Sequence, residues 1–299
     1  MKTENKAMLA AGIAYSIFGL SYLFSKMALD LVEPAVLLCV RFSVTVLLLN
    51  ALVLTKAMKL SLKGKKLLGP IALGLLQPVL YFLLENYGLK NTNTSFTGMV
   101  SSVSPIFTAL LGAVFLRERP TGRQWISVGV SIAGVLMVSL GTSSGENTVL
   151  GCVCLLGAYL AGGFYSILVR KLSKEYSAFE LTYIMFTVGL VFFAGMAFMQ
   201  NGADTVPMMA SALREPKFII ACLYLGGAAS VGAYMLVNYS LAHLPVARST
   251  VFNSFATLVS VLSGVILMKD PFTWVSGLAF VLMMAGVWGV NRFAAKTEN

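Results

Sequence analysis

The sequence predicts an all-α integral membrane protein in which ten transmembrane helices form two inverted five-helix repeats. Three observations carry that prediction. Apolar residues are 58% of the 299 and charged residues only 11%, where a soluble domain has about 25% charged. Ten apolar stretches, each near the roughly 20 residues that a bilayer crossing needs, follow one another with short connections. Much of the first half also recurs in the second at a constant distance along the chain.

The recurrence is densest from Asn86 to Val138. A shift of 152 carries Asn86-Tyr87-x-Leu89 onto Asn238-Tyr239-x-Leu241, Ser102 onto Ser254, Leu110 onto Leu262 and Gly112 onto Gly264. It also carries Glu118-x-x-Thr121 onto Asp270-x-x-Thr273 and Ala133-Gly134-Val135 onto Ala285-Gly286-Val287, with no gap. Self-similarity of this kind marks an internal duplication. A second echo runs at 144: Ala14 and Tyr15 onto Ala158 and Tyr159, Gly19 onto Gly163, Lys26 onto Arg170. The change of offset requires eight extra residues in the second half. They are expected between Gln200 and Glu215, which reads as the longest irregular stretch of the chain from its Gly and Pro content. Residues 1–141 and 142–299 are the two expected repeats.

Taken in order, segments 1 to 5 are expected at about 7–29, 35–55, 67–88, 93–116 and 123–140. Segments 6 to 10 follow at about 148–171, 179–199, 217–241, 246–268 and 272–291. Each is an apolar run bounded by charge or turn clusters. Segment 1 has basic residues before it, as a secretory signal does, but its run extends to Leu29 and nine more follow, so it is taken as a span. Segment 2 stops at the lysine cluster Lys56–Lys66. Segments 3 and 4 carry Pro78 and Pro105, each expected to remove a backbone hydrogen bond and kink its helix. With the N-terminus cytoplasmic, sixteen Lys and Arg fall on that side, five on the other, and Arg41 lies within segment 2. This inside-positive bias places both termini in the cytoplasm. It also accounts for the net charge of +10 without a nucleic-acid partner. Five is odd, so the second repeat crosses in the opposite sense. Cys39, Cys152, Cys154 and Cys222 sit in or beside apolar runs, as small hydrophobes do, and predict neither a disulfide nor a zinc site.

An inverted duplication places a substrate site near the midplane between the halves and implies alternating access around it. Helical spacing puts Tyr15, Gly19, Tyr22 and Lys26 on one face of segment 1, and Tyr159, Gly163, Ser166 and Arg170 on one face of segment 6. Segment 3 presents Gly74, Gln77, Tyr81, Glu85 and Gly88; segment 8 presents Ser230, Tyr234 and Asn238. Polar faces are costly against lipid, so the four are expected to turn inward and line one cavity. Taken singly, any of these Tyr or Ser side chains serves equally well to bond a neighbouring helix. Ser104, Thr108 and Gly112, mirrored by Ala256, Ser260 and Gly264, form small-residue ridges expected to pack helices. Beside them, Ser101 and Asn253 are expected in the cavity wall. Lys26, Arg41 and Glu85 are ionisable groups at similar expected depth; Met185 and Val237 take the places of Arg41 and Glu85 in the second repeat. Ionisable groups in the bilayer have a partner or a task. Either they pair to hold segments 1 to 3 together, or Glu85 exchanges a proton or meets a substrate amine while Lys26 or Arg41 receives a carboxylate.

Together these features resemble the drug/metabolite transporter superfamily, EamA type. The likeness rests on Gly19 to Lys26 closing segment 1, on Ser101-Ser102-x-Ser104-Pro105 with Phe107-Thr108-Ala109-Leu110-Leu111, and on Leu116-x-Glu118-x-x-Thr121. The resemblance implies a multi-pass carrier of the bacterial inner membrane, with a central cavity built from segments 1, 3, 4, 6, 8 and 9, that exports a small metabolite such as an amino acid. A lipid- or drug-translocating carrier of the same fold is the alternative. Lys269-Asp270 stands where Arg117-Glu118 stands in the first repeat, a departure from the family pattern. A membrane-embedded enzyme is disfavoured. The chain has one histidine, His243 in a predicted loop, no paired intramembrane carboxylates, no Ser–His or Cys–His pairing and no glycine-rich phosphate cradle. No catalytic residue, cofactor or metal is expected. The expected partners are a small-molecule substrate, the lipid bilayer and, as one candidate coupling ion, a proton; oligomeric state is left open.

Overall fold

The computed structural model describes residues 2–116, 121–141, 148–250 and 252–293. Arg117, Glu118 and Arg119, which belong to the acidic motif and its charge cluster, lie outside the described residues, as does Lys296. The described residues form helices and their connections, with no strand among them. Among the described residues eight helical segments are long and apolar enough to cross a membrane, and Trp274–Val290 is a shorter apolar helix. Leu47, Val114, Val191 and Trp288 point outward and are exposed, as a lipid-facing surface requires.

Segments 1 and 2 are the helices Lys2–Leu29 and Pro34–Leu54; segments 6 and 7 are Val149–Leu172 and Ala178–Asn201. Segments 5 and 10 are Gly122–Gly141 and Trp274–Arg292. Their starts follow local chemistry. Pro34 occupies the first turn of segment 2, where a missing N–H is harmless. Thr148 and Thr273 cap segments 6 and 10 with their hydroxyls, and Ser177 with Glu180 forms a reciprocal capping box on segment 7. The stretch after segment 7 corrects the sequence expectation. It is a 3₁₀ turn, Gly202–Asp204, followed by the helix Thr205–Ala212. Gly202 ends segment 7 at φ +55°, Thr205 Oγ1 donates to the Ala197 and Gly202 carbonyls, and Pro207 falls in a first turn that needs no N–H from it. His243 likewise ends a helix instead of lying in a loop.

Segments 3, 4, 8 and 9 are interrupted. Segment 3 runs as Leu68–Gly74, a π-helical stretch Leu75–Leu80 and Tyr81–Lys90, with Gln77 extended before Pro78 through a cis peptide. Segment 8 repeats the pattern as Pro216–Leu223, a π-helical stretch Tyr224–Ala233 and Tyr234–His243. No proline stands there; Ser230 occupies the position equivalent to Pro78. Segment 4 is Thr94–Ser101 then Ser104–Leu116, broken just before Pro105. Segment 9 is Val246–Thr250, then Asn253–Ser263 ending in a π turn, Gly264–Met268.

The two halves meet through reciprocal contacts. A Cβ at Gly134 would lie 2.8 Å from the Ala279 oxygen and 3.1 Å from the Met283 nitrogen. One at Gly286 would lie 2.6 Å from the Ser127 oxygen and 2.7 Å from the Ser131 nitrogen. A shift of 152 turns one description into the other, so segments 5 and 10 pack at glycines that no side chain can replace without parting the helices. Segments 1 and 6 do the same on segments 9 and 4: Gly19 abuts Ala256 and Val259, and Gly163 abuts Phe107, Thr108 and Leu111.

Segments 4 and 9 cross where Asn253 Nδ2 donates to the Ser101 carbonyl at 2.7 Å, a bond between residues 152 apart. On the side away from the chain termini the two segments are closed together. Ser260 Oγ donates to the Thr94 carbonyl at 3.1 Å, the Ser95 amide donates to Asp270 Oδ2 at 2.7 Å, and a Cβ on Gly264 would lie 2.8 Å from that amide. On the termini side the equivalent glycine, Gly112, has nothing among the described residues within 4 Å of where its Cβ would stand. The expected ridge packing therefore holds for Gly264 and fails for Gly112: the two ridges flank one crossing, which is closed on one side only.

Candidate substrate cavity

The interrupted segments and the reciprocal glycine contacts leave a cavity of about 70 Å³ at the centre of the bundle. Segment 1 contributes Tyr15, Tyr22, Phe18 and Ser21; segment 2 contributes Arg41; segment 3 contributes Gln77, Tyr81, Phe82 and Glu85. From the other half come Tyr159, Gly162, Tyr165 and Ser166 of segment 6, Tyr234 and Val237 of segment 8, and Thr250 and Asn253 of segment 9, with Ser104 from segment 4. Ten of the thirteen residues expected from sequence are thus in one wall: Tyr15, Tyr22, Arg41, Gln77, Tyr81, Glu85, Tyr159, Ser166, Tyr234 and Asn253.

Three expected residues are elsewhere. Lys26 extends its ammonium to the carbonyls of Leu89 (3.1 Å) and Thr92 (2.7 Å), where segment 3 ends and its last carbonyls lack donors four residues on. Ser101 turns its hydroxyl to the Gly98 carbonyl at 2.7 Å and to Thr257. The break at Ser102–Val103 changes the helical register there, so Ser104 faces the cavity and Ser101 does not. Asn238 is fully buried one layer back, accepting from the Tyr165 hydroxyl and donating to Thr182 Oγ1 at 2.9 Å. Tyr165 itself was missed by sequence. The wall of segment 6 runs along Tyr159, Gly162, Tyr165 and Ser166, a stripe that departs after Tyr159 from the one its glycine spacing suggests.

The electrostatics centre on two side chains. Arg41 is 2% exposed and Glu85 6%. Arg41 Nε donates to Ser230 Oγ at 3.0 Å, and its guanidinium carbon lies 4.2 Å from the centre of the Phe82 ring, a cation–π arrangement. Glu85 lines the same cavity as Tyr22, Arg41 and Tyr81. Among the described residues, ion pairs form at Lys65–Glu180, Lys90–Glu33 and Arg248–Glu4, and Arg41 and Glu85 do not make one with each other. Of the two alternatives for these ionisable groups, a direct Arg41–Glu85 ion pair is therefore not formed; Ser230 and Phe82 hold the guanidinium. Aromatic rings surround both groups: Phe18 and Phe82 pack edge-on to Tyr234, and Tyr81 to Tyr159. Tyr234 is fastened across the cavity by a hydrogen bond from Gln77. No group of three His, Cys, Asp or Glu that could hold a metal occurs among the described residues.

An all-helical membrane protein with a small, polar, tyrosine-rich cavity walled by both of its halves has the form of a small-molecule transporter. The chain belongs to the EamA-like transporter family, whose model matches it twice, at residues 5–140 and 149–292. Its relatives include the uncharacterized transporter YcxC of Bacillus subtilis (strain 168), 32% identical over 97% of this chain and 95% of the relative. A probable terminal-alkyne amino-acid exporter of Streptantibioticus cattleyicolor is 27% identical over 71% of this chain and 69% of its own. The chloroplastic phosphoenolpyruvate/phosphate translocator 1 of Arabidopsis thaliana is 26% identical over 70% of this chain and 52% of its own. One solved crystal structure, 17% identical, covers 98% of both chains with a TM-score of 0.66 and has the same fold. Family and relatives are transporters and not enzymes.

Proposed function

We propose that this protein is a secondary carrier that exports a small metabolite such as an amino acid, by alternating access between two inverted repeats of five spans each, residues 1–141 and 142–299. It resides in the bacterial inner membrane with both termini cytoplasmic. The observation that carries the reading is the cavity between the repeats holding a buried cation and a buried carboxylate that are not paired with each other. A zwitterion supplies a carboxylate for Arg41 and an ammonium for Glu85, satisfying two groups that are costly to leave in the bilayer. The amino-acid exporter among the relatives supports the same substrate class. Alternating access is supported by the one-sided closure of segments 4 and 9 about Ser101 and Asn253. Protein reconstituted in liposomes should accumulate a labelled amino acid against an excess of the same unlabelled compound inside. Plain equilibration without this counterflow would replace a carrier by a channel.

One feature favours the alternative of an amphipathic drug or lipid as cargo. An open apolar groove of about 620 Å³ runs between segments 1 and 9, lined by Met8, Ile13, Ile17, Phe252 and Phe255 among others. Counterflow of an amphipathic dye, with none for any amino acid, would select it.

A further inference from the structure

Arg41 is held by the other repeat. Segments 2 and 8 approach so closely that a Cβ on Gly226 would lie 2.9 Å from the Arg41 carbonyl oxygen, and Thr45 Oγ1 bonds both that oxygen (2.8 Å) and the Gly226 carbonyl (3.1 Å). This lets the short side chain of Ser230, on the π-helical stretch of segment 8, reach Nε at 3.0 Å. The bond uses one of the five N–H donors of the guanidinium. The four on Nη1 and Nη2 make no hydrogen bond to protein among the described residues, although the side chain is buried and lines the cavity. A buried guanidinium fixed by a neutral oxygen on one edge and a ring on its face still offers a bidentate fork to an anion. The first-repeat wall carries both charges. The second-repeat positions equivalent to Arg41 and Glu85 are Met185 and Val237, and the wall there is Tyr165, Tyr234 and Val237.

We propose that Ser230 is a positioning residue that aims Arg41 as an anion receptor, so that the transported molecule presents an anionic group to segment 2 and its uncharged part to the wall of the second repeat. This rests on the carrier reading, because only a cavity that takes cargo needs a receptor. A purely structural role for the bond would be to fasten segment 2 to segment 8, and the two roles separate in binding measurements.

The test uses the purified full-length protein and two probes of one shape, 4-methylpentanoate and 4-methylpentanamide, followed by titration and by the melting midpoint. The wild type should bind the acid at least about tenfold more tightly than the amide, the discrimination expected of a charge-assisted bidentate bond. Ser230→Ala should weaken the acid by roughly tenfold and leave the amide unchanged, while loss of the buried Nε bond lowers the ligand-free melting midpoint without preventing folding. Arg41→Gln should abolish the preference; if it does not fold, Ser230→Ala decides. Equal binding of acid and amide by the wild type, or equal weakening of both by Ser230→Ala, would overturn the assignment. Because neither probe need be transported, counterflow without acid preference would sink this inference alone, and acid preference without counterflow would sink the carrier.

Discussion

Lys26 and Arg170 perform the same task at opposite ends of the bundle. Lys26 Nζ donates to the carbonyls of Leu89 and Thr92, and Arg170 Nη1 donates to those of Leu241 (3.1 Å) and Ala242 (2.8 Å). Leu89 and Leu241 are themselves equivalent at the 152 shift. Each cation therefore caps the last turn of the interrupted segment beside it, where the final carbonyls lack donors four residues on and the dipole is negative. Lys26→Met should cost about 1.5–3 kcal/mol of stability, the range for hydrogen bonds to a charged group. Arg170→Met, at an exposed site, should cost less than about 1 kcal/mol. Thermal unfolding in detergent measures both, and counterflow by the folded Lys26→Met protein should persist. A stable Lys26→Met variant that fails to transport would return Lys26 to the substrate site.

Glu85→Gln keeps the shape of a side chain that makes no ion pair with Arg41. The folded protein should therefore accumulate normally and melt near the wild-type temperature. If Glu85 meets the substrate amine or exchanges a proton, counterflow should fall at least tenfold or lose its dependence on pH. Unchanged transport and an unchanged pH profile would exclude both roles.

The fold was legible because its signals are additive. Apolar length and the 152 offset each sample many residues, so no single exception hides them. Helix faces located Tyr15, Gln77, Tyr81, Glu85 and Tyr234 for the same reason: a stripe survives a local distortion. What failed was register across a break. Ser101 and Ser104 exchange places because segment 4 is interrupted between them, and nothing before Pro105 marks an interruption rather than a kink. Lys26 misled for a different reason. Sequence shows that a cation needs a partner, but helix carbonyls are partners that carry no sequence signal. The one-sided packing of the two glycine ridges was equally hidden, since equivalent sequences predict equal packing and a carrier at rest need not be symmetric.

Tyr165 is tied to the layer behind the cavity through Asn238, which in turn bonds Thr182. Tyr165→Phe removes one donor and leaves the fully buried Asn238 oxygen without it, at a cost of about 1–3 kcal/mol. The first repeat already shows the consequence, since the equivalent Asn86 Oδ1 is buried with no hydrogen-bond partner among the described residues and Ser21 stands in the place of Tyr165. Chemical unfolding should therefore register the loss for Tyr165→Phe. A change below about 0.5 kcal/mol would mean that Asn238 finds another donor.

Gly112 and Gly264 are equivalent in sequence and different in surroundings. Gly264 lies against Ser95 where segments 4 and 9 are closed, so Gly264→Leu must part them there and should cost at least about 1–3 kcal/mol, the usual penalty for overpacking. Gly112 has open space around its Cβ position. Gly112→Leu should leave the melting midpoint close to wild type. In the proposed alternating access, Gly112 has its task in the other state. Exchanging the roles of the repeats brings the backbone at Ala247, equivalent to Ser95, onto Gly112, while the Ser101–Asn253 contact maps onto itself and stays as the pivot. A leucine at 112 would block that closure. The expected phenotype is therefore a stable protein that binds cargo but shows little counterflow, whereas Gly264→Leu loses stability first. If Gly112→Leu transports at the wild-type rate, segments 4 and 9 do not close on the termini side, and the rocking motion proposed for this carrier must run through other helices.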